Sequence, residues 1–360
     1  MSKKILLRKI LLRKKEKQET EPGNYLSSGS TLFNMACTGN PAGAFIPGKY
    51  YFLVGDSSSG KTFLSLTCFA EAANNPAFKN YRLIYDNSED GALMDFEKYF
   101  GKNMASKLEP PAKDKEGPLY STTIEDFYYH VDDAVQQGQP FIYILDSMDS
   151  LSSESESDKF QEQKEAFRKG KDSAGSYGDG KAKKNSSGLR RILYHLRETG
   201  SILIIINQTR DNISGMGFEK KTRSGGHALR FYATLEIWLA VKGKITKTIQ
   251  GKTRQLGITS QVKVKKNRIT GKDRTVEVNL YHSHGIDDLG TCIQYLLSEG
   301  TWKKTGSKIS APEFEFEGRE ADLIKLIEEN NSESILIELV QDTWENIEKE
   351  TQIIRKKKYE

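Results

Sequence analysis

The sequence has few of the residues that cross-link small secreted proteins or hold structural metals. Its three cysteines, Cys37, Cys68 and Cys292, are scattered over 360 residues without paired spacing. This argues against both a disulfide framework and a zinc site. The five histidines also lack the spacing of a metal site. We therefore expect a reducing, cytoplasmic compartment for the chain.

Long apolar runs are also missing, since none approaches the roughly 20 residues that a membrane-spanning helix needs. The first eighteen residues carry eight Lys or Arg against one Glu, and these cations interrupt any apolar stretch of the kind found in signal peptides. We interpret residues 1–24 as a basic arm. It either docks on a neighbouring subunit or on DNA phosphates, or it is a solvated tail. No membrane partner is expected.

What the chain does have is enough apolar material for a large core. Hydrophobic residues make up 36% of the sequence and aromatic residues 10%, so the chain is not disordered. Its length suits one large α/β domain with smaller attachments. The net charge of +5 permits nucleic-acid binding without demanding it, because local clustering of cations matters more than the total.

Apolar strands alternate with helical segments from residue 25 to residue 302, which predicts a mostly parallel sheet flanked by helices. The expected strands are 50–54, 81–85, 141–145, 202–206, 233–241, 261–265 and 275–280. Two polar, glycine-bearing stretches, 153–187 and 209–226, are read as long loops, which are usually functional or mobile. Residues 303–360 change character, and we predict a small, acidic, helical C-terminal region.

The strongest motif is a phosphate-binding loop of the pattern G-x-x-x-x-G-K-[ST], between a predicted strand and a predicted helix. It consists of Gly55, Asp56, Ser57, Ser58, Ser59, Gly60, Lys61 and Thr62. Glycines let backbone N–H groups wrap the phosphates, and the following helix N-terminus favours an anion. Lys61 is expected to reach the β and γ phosphates, and the Thr62 hydroxyl to ligate Mg²⁺. ATP and Mg²⁺ are thus the predicted cofactors.

Polar residues at the ends of three other predicted strands complete the candidate site. Asp146 ends the apolar run FIYIL and is expected to hold Mg²⁺, directly or through water. Glu89 and Asp86 both qualify as the base that orients the attacking water. Gln208 follows the fourth strand, where it could sense the γ-phosphate and pass its state to the next loop.

These motifs resemble the RecA family of recombinases over roughly residues 25–302, and most of all the phage-encoded, UvsX-like members. The segments that carry the resemblance are LSSGSTLFNMA (26–36), INQTR (206–210), SGGHALRFYATLEIWL (224–239) and VKVKKNRI (262–269). The resemblance implies a RecA-type ATPase core, and the host cytoplasm as location if the chain is phage-encoded.

The resemblance also implies roles for single residues. Glu89 would activate water, because its spacing to Gly101 matches that of the family's catalytic Glu to a downstream Gly. Phe96 would stack on adenine, and Gln208 would couple nucleotide to DNA. Lys266 and Arg268 would reach the ATP of the neighbouring subunit in a filament, which would make ATP binding and assembly depend on each other.

By the same resemblance the two polar stretches become DNA-binding loops, whose cations track phosphates and whose apolar side chains separate bases. The predicted DNA-contacting residues are Lys169, Lys183, Lys184, Arg210, Met216, Phe218, Lys221 and Arg223.

The leading function is therefore a DNA-dependent ATPase that forms helical filaments on single-stranded DNA and pairs it with a homologous duplex in recombination and repair. Two alternatives share the fold: a hexameric helicase, and a regulatory recombinase paralogue with weak ATPase activity.

Overall fold

The fold is built from alternating strands and helices, in a computed structural model that describes residues 24–169, 180–211, 221–223 and 227–356. The strands are β1 (Tyr50–Gly55), β2 (Arg82–Asp86), β3 (Leu108–Glu109), β4 (Ala112–Lys113), β5 (Pro118–Leu119), β6 (Phe141–Leu145), β7 (Ile202–Asp211), β8 (Lys221–Arg223), β9 (Leu235–Ile249), β10 (Lys252–Asn267), β11 (Arg274–Tyr281), β12 (Gly285–Ile286), β13 (Lys303–Thr305), β14 (Lys308–Ala311) and β15 (Phe316–Gly318).

The α-helices of the described residues are α1 (Thr31–Thr38), α2 (Lys61–Asn74), α3 (Phe96–Phe100), α4 (Lys102–Ala105), α5 (Ile124–Gln136), α6 (Glu154–Arg168), α7 (Gly180–Thr199), α8 (His227–Tyr232), α9 (Asp288–Ser298), α10 (Glu320–Glu329) and α11 (Glu333–Glu350). Among these residues, no helix is long and apolar enough to span a membrane.

A central sheet runs in the order β12-β11-β10-β9-β1-β7-β6-β2-β3, and β8 pairs with β7. Strands β9, β1, β7, β6, β2 and β3 are parallel to one another, whereas β10, β11 and β12 continue the sheet antiparallel. Each strand expected from the sequence overlaps one of these strands, although the expected 81–85 and 233–241 begin one and two residues before β2 and β9. This confirms the RecA-like α/β fold with a mostly parallel sheet.

Both faces of the sheet are buried, because helices cover each of them. Along β1, Tyr51 and Leu53 join the core beneath α1, α2 and α9 to α11. Their neighbours Tyr50, Phe52 and Val54 join the core beneath α5, α7 and α8. This period-two division places five fully buried side chains in one strand, which explains why such strands read as continuous apolar runs.

The stretch 153–187 is mostly helical, so its prediction as a loop was wrong for the described residues. Ser153 and Glu156 form a capping box, in which each side chain accepts a hydrogen bond from the other residue's backbone N–H. This reciprocal pairing satisfies N–H groups that the first turn of a helix leaves free, so α6 begins here despite its polar composition. Residues 170–179 lie outside the described part of the chain.

The stretch 209–226 begins as a strand. Thr209, Arg210 and Asp211 extend β7 and pair antiparallel with β8. The remaining residues of this stretch, 212–220 and 224–226, lie outside the described part, as do the basic arm 1–23 and residues 357–360.

The C-terminal region is not purely helical, because it opens with a three-stranded antiparallel sheet of β13, β14 and β15. It also shares its core with the central sheet and α2. Leu323, Leu336 and Val340 belong to the same buried cluster as residues of α2 and of the central sheet. Trp302 is the last residue before the predicted C-terminal region. It is 2% exposed and donates a 2.8 Å hydrogen bond to Glu313, within that region.

Candidate nucleotide site and its connection to the β7–β8 hairpin

The candidate site lies along one edge of the sheet, at the carboxyl ends of β1, β7, β6 and β2. These four parallel strands are adjacent in that order, so residues that follow them meet at a single edge, where open α/β sheets bind ligands. The phosphate loop follows β1, Asp146 follows β6, and Glu89 lies three residues beyond β2. Gln208 belongs to β7 itself.

The phosphate loop needs glycine at both ends for different reasons. Gly60 has a φ of +93°, in the left-handed region that disfavours other residues. At Gly55 an added Cβ would lie 2.5 Å from the Leu239 carbonyl oxygen, since β1 and β9 run side by side. The loop is anchored from the opposite side by Ser260, whose hydroxyl donates a 2.8 Å hydrogen bond to the Ser59 carbonyl.

Lys61 is buried at the start of α2, and its ammonium group folds back onto the loop. It donates to the carbonyl oxygens of Gly55 and Asp56 at 2.9 and 2.7 Å. Burial lowers the pKa of Lys61, an effect opposed by nearby carboxylates, Asp146 foremost. The loop thus holds a cation beside the helix N-terminus, an arrangement suited to an anionic ligand.

Thr62 and Asp146, which the sequence predicts as Mg²⁺ ligands, are in direct contact, since the Thr62 hydroxyl donates a 2.7 Å hydrogen bond to Asp146 Oδ2. The Tyr85 hydroxyl donates to the same oxygen at 3.0 Å. Burial raises the pKa of Asp146, although these two hydrogen bonds oppose that rise. A hydroxyl and one carboxylate are oxygen donors of the kind that Mg²⁺ uses beside substrate phosphates, so the pair fits this ion.

The geometry separates the two candidate bases. Asp86 is 0% exposed, and its carboxylate accepts hydrogen bonds from Ser121 N, Ser121 Oγ and Tyr143 Oη at 2.9, 2.6 and 2.6 Å. Asp86 therefore fastens β2 to β6 and to the start of α5 inside the protein. Glu89 is exposed, which makes it the better candidate for the water-activating residue.

Glu89 and Gln208 are in direct contact, although 119 residues separate them in the chain. The Gln208 side-chain amide donates a 2.9 Å hydrogen bond to Glu89 Oε1. Ser147, next to Asp146, donates its hydroxyl to the same oxygen. The Gln208 backbone N–H donates to Asp149 at 2.8 Å. The predicted base and the predicted sensor thus form one network.

Thr209 is a site residue that the sequence reading missed. Its hydroxyl donates a hydrogen bond to Asp56 Oδ1, on the phosphate loop. Thr209 also pairs with Arg223 in the β7–β8 ladder. No short motif signals this contact, because it depends on the parallel register that sets Gly55 opposite Gln208.

A cavity of about 360 Å³ opens beside the phosphate loop, between the loop and the β11–β12 turn. Tyr99, Met94 and Tyr281 line it, together with Ser58 to Thr62. The Tyr99 hydroxyl donates a 2.7 Å hydrogen bond to the His282 carbonyl, which fixes its ring at the cavity wall.

Phe96 is not among the residues that line this cavity. Its ring packs edge-on against Tyr85 and beside Phe100, with centroids 6.2 and 6.4 Å apart. The structure therefore favours Tyr99 over Phe96 as the aromatic neighbour of a nucleotide base.

Lys266 is near the end of β10 and Arg268 follows that strand. Both side chains contact the C-terminal end of α8. Lys266 donates to the carbonyl oxygens of Arg230 and Phe231 at 2.6 and 2.8 Å, and Arg268 donates to Phe231 at 2.7 Å. Burial and then the nearby Arg268 lower the pKa of Lys266 to about 8. The cations therefore repel one another, and an arriving anion would relieve that repulsion.

The predicted DNA-contacting cations differ in their surroundings. Lys184 pairs at 2.8 Å with Glu125, whose side chain is 5% exposed, and Lys169 lies 3.7 Å from Glu165. Lys183 is exposed and has no ion-pair partner among the residues described. Arg210, Lys221 and Arg223 lie in the β7–β8 ladder. Met216 and Phe218 lie outside the described residues.

Comparison with known proteins gives a consistent picture. Residues 142–287 match the family described as the RecA N-terminal domain, a match that begins at β6 and so excludes the phosphate loop. The chain is 28% identical over 291 residues to Protein RecA of Cytophaga hutchinsonii, covering 79% of this chain and 72% of that protein. It is also 28% identical over 314 residues to Protein RecA of Chlorobaculum tepidum, covering 85% and 80%.

Among solved structures, a crystal structure of the RadB recombinase matches with a TM-score of 0.48 and 14% identity, covering 72% of this chain and 98% of that chain. The matched domain and these relatives show that the chain is similar to RecA proteins over much of its length.

Proposed function

We propose that this chain is an ATP-dependent DNA recombinase, which assembles on single-stranded DNA and exchanges it with a strand of a homologous duplex. One observation carries the proposal. Gln208 contacts Glu89 at the nucleotide site, and the next residues of the same strand form the β7–β8 hairpin, at the root of the second predicted DNA-binding stretch. Events at the nucleotide can therefore reach the DNA contact through one continuous strand.

The nucleotide chemistry follows from residues already in place. Backbone N–H groups of residues 55–60 and Lys61 would hold the phosphates of ATP, and Thr62 with Asp146 would hold Mg²⁺, which neutralises charge that develops on the phosphates. Glu89 would orient the attacking water and accept its proton, because its carboxylate is exposed at the sheet edge beside Asp146. Gln208 would exchange its hydrogen bond to Glu89 for one to the γ-phosphate.

Self-assembly is supported by the cluster of Arg230, Lys266 and Arg268. Its cations are only partly neutralised within the subunit, where Arg230 pairs at 3.1 Å with the buried Glu236. We propose that Lys266 and Arg268 meet the triphosphate held by a neighbouring subunit, so that ATP sits at the interface. Binding of ATP and polymerisation would then stabilise each other.

DNA binding is assigned to the hairpin and to the start of α7. The exposed Lys183 and the cations of the β7–β8 ladder would track phosphates, and Phe218 or Met216 would separate bases. Lys184 is better explained as a structural partner of Glu125, because burial would otherwise raise the pKa of that carboxyl. Hydrogen bonds, Lys184 foremost, hold the Glu125 pKa below its ordinary value instead.

Strand exchange is the activity that tests this proposal. Purified protein with ATP and Mg²⁺ is given a labelled single strand and either a homologous or an unrelated duplex. Transfer of label into the homologous duplex alone supports the proposal, with helical filaments expected in negative-stain images of the same sample. Rings with unwinding of a forked duplex would indicate a helicase. Absence of both activities would indicate a regulatory paralogue.

The relatives named above are bacterial RecA proteins, so the phage-encoded type stays a prediction from the sequence.

A further inference from the structure

Two neighbouring residues of β7 are bound by two different parts of the nucleotide site. Gln208 donates to Glu89, which follows β2. Thr209 donates to the carboxylate of Asp56, the second residue of the phosphate loop. Thr209 is half-buried and Asp56 is half-buried, so this second contact is partly shielded from water. Only the first contact involves the residues proposed to act on the γ-phosphate.

Asp56 is also joined to Lys61 through its backbone. Its carbonyl oxygen accepts hydrogen bonds from Lys61 Nζ and from Ser59 Oγ, both at 2.7 Å. An ammonium group that folds back onto the loop carbonyls cannot extend to the phosphates in the same conformation. Occupation of the loop by a nucleotide therefore removes one of the bonds that position Asp56.

The same event changes the electrostatics at Asp56. Bound phosphates bring several negative charges into the loop, and like charges a few ångströms apart in a partly buried site repel one another strongly. Such repulsion would displace the Asp56 carboxylate and so alter its hydrogen bond to Thr209. Since phosphates of both ADP and ATP occupy the loop, a diphosphate is sufficient for this displacement.

We propose that Asp56 and Thr209 are a positioning pair that transmits occupancy of the phosphate loop to the β7–β8 hairpin, separately from the contact between Glu89 and Gln208. The pair responds to any nucleotide that fills the loop, and the Glu89–Gln208 pair responds to the γ-phosphate. The inference rests on the proposed function only for the statement that the hairpin then changes its affinity for DNA.

Hydrogen exchange in the absence of DNA tests the pair directly. Peptides covering residues 202–211 of the full chain are compared between nucleotide-free protein and protein saturated with ADP and Mg²⁺. ADP should change their exchange by several-fold in the wild type and in Thr209→Ser, which keeps the hydroxyl. Thr209→Val, which removes it at nearly constant size, should lose most of that change.

Gln208→Ala serves as the matched control, because it removes the other contact of the same strand. It should keep the response to ADP. A Thr209→Val protein that responds to ADP as the wild type does would overturn the inference, as would equal loss of the response in Thr209→Ser and Thr209→Val.

A second readout separates this inference from the proposed function. The Kd for a labelled oligonucleotide is measured with and without ADP. A typical coupling free energy between the nucleotide site and the DNA site would change this Kd about 5- to 150-fold. Thr209→Val should bring that ratio close to one, while Thr209→Ser keeps it. If the wild type binds no single-stranded DNA but the exchange result holds, the recombinase proposal fails and the positioning pair stands.

Discussion

The side-chain amide of Gln208 lies 2.9 Å from the carboxylate of Glu89, so the residue proposed to sense the γ-phosphate is hydrogen-bonded to the residue proposed to activate water. A nucleotide that draws Gln208 toward its γ-phosphate also frees one oxygen of Glu89. The availability of the Glu89 carboxylate to accept a proton is linked to the position of β7, because the hydrogen bond from Gln208 restrains both.

The first prediction concerns the identity of the base. Glu89→Gln should lower ATP turnover about 10²- to 10⁴-fold, the usual contribution of a positioned general base, because an amide cannot accept the proton of the attacking water. Nucleotide affinity should change little, since the phosphates are held by residues 55–62. Steady-state hydrolysis and a fluorescent-nucleotide titration measure the two effects.

Asp86 supplies the control for that assignment. Asp86→Ala removes the acceptor of the hydrogen bonds from Ser121 N, Ser121 Oγ and Tyr143 Oη, and each buried group left unsatisfied costs about 1–3 kcal/mol. We expect a lower Tm and nearly normal turnover per folded molecule. A loss of turnover per folded molecule in Asp86→Ala as large as that in Glu89→Gln would contradict our choice of base.

The second prediction concerns the nucleotide base. Tyr99→Ala should weaken ATP affinity by about 1–3 kcal/mol, the range for loss of base stacking on an aromatic ring. Tyr99→Phe should keep most of the affinity, because it loses only the hydrogen bond to the His282 carbonyl. Isothermal titration with a non-hydrolysable ATP analogue measures both variants.

Phe96→Ala should behave differently from Tyr99→Ala, because Phe96 packs against Tyr85 and Phe100. Its main effect should be a lower free energy of unfolding, measured by urea denaturation. Strong loss of ATP affinity in Phe96→Ala, with Tyr99→Ala unaffected, would restore Phe96 to the role that the sequence resemblance gave it.

The third prediction is a pH dependence of assembly. The pKa of Lys266 is lowered to about 8 by burial and by Arg268, and a bound phosphate would raise it again. Assembly that places a triphosphate at Lys266 therefore takes up a proton, and it weakens as the pH rises through about 8. Light scattering with ATP between pH 7 and pH 9 measures this.

Lys266→Arg provides the comparison, because a guanidinium stays protonated throughout that range. Its assembly should depend less on pH, even if it is weaker at pH 7 for reasons of geometry. An identical pH profile in the two proteins would rule out titration of Lys266 as the cause.

The fourth prediction separates a DNA contact from a structural ion pair. Lys183→Ala should weaken binding to single-stranded DNA and reduce its salt dependence by about one phosphate contact, with an unchanged Tm. Lys184→Ala should lower the Tm instead, because it leaves the nearly buried Glu125 without its cation. Reversal of the two phenotypes would contradict the assignment of α7.

The sequence predicted the central strands well because their signal is local. The run FIYIL predicts β6 to the residue, since all five of its side chains are buried and both faces of the sheet are covered. The phosphate loop was equally predictable from the sequence, because its glycines and Lys61 lie within eight consecutive residues.

Features that depend on distant partners could not be read in the same way. Asp86 and Glu89 both looked suitable as bases until Ser121 and Tyr143 proved to enclose Asp86. Tyr99 reaches the cavity wall through a contact with His282, 183 residues away. The helix α6 was missed for another reason, because its polar composition hid the capping box of Ser153 and Glu156.

The most direct test of the account is the rate of ATP hydrolysis with and without single-stranded DNA, in the wild type and in Gln208→Ala. If the nucleotide site is coupled to DNA through β7, single-stranded DNA should stimulate the wild type strongly, and Gln208→Ala should bind ATP yet lose most of the stimulation. A wild-type rate that does not respond to DNA, or full stimulation in Gln208→Ala, would contradict the account.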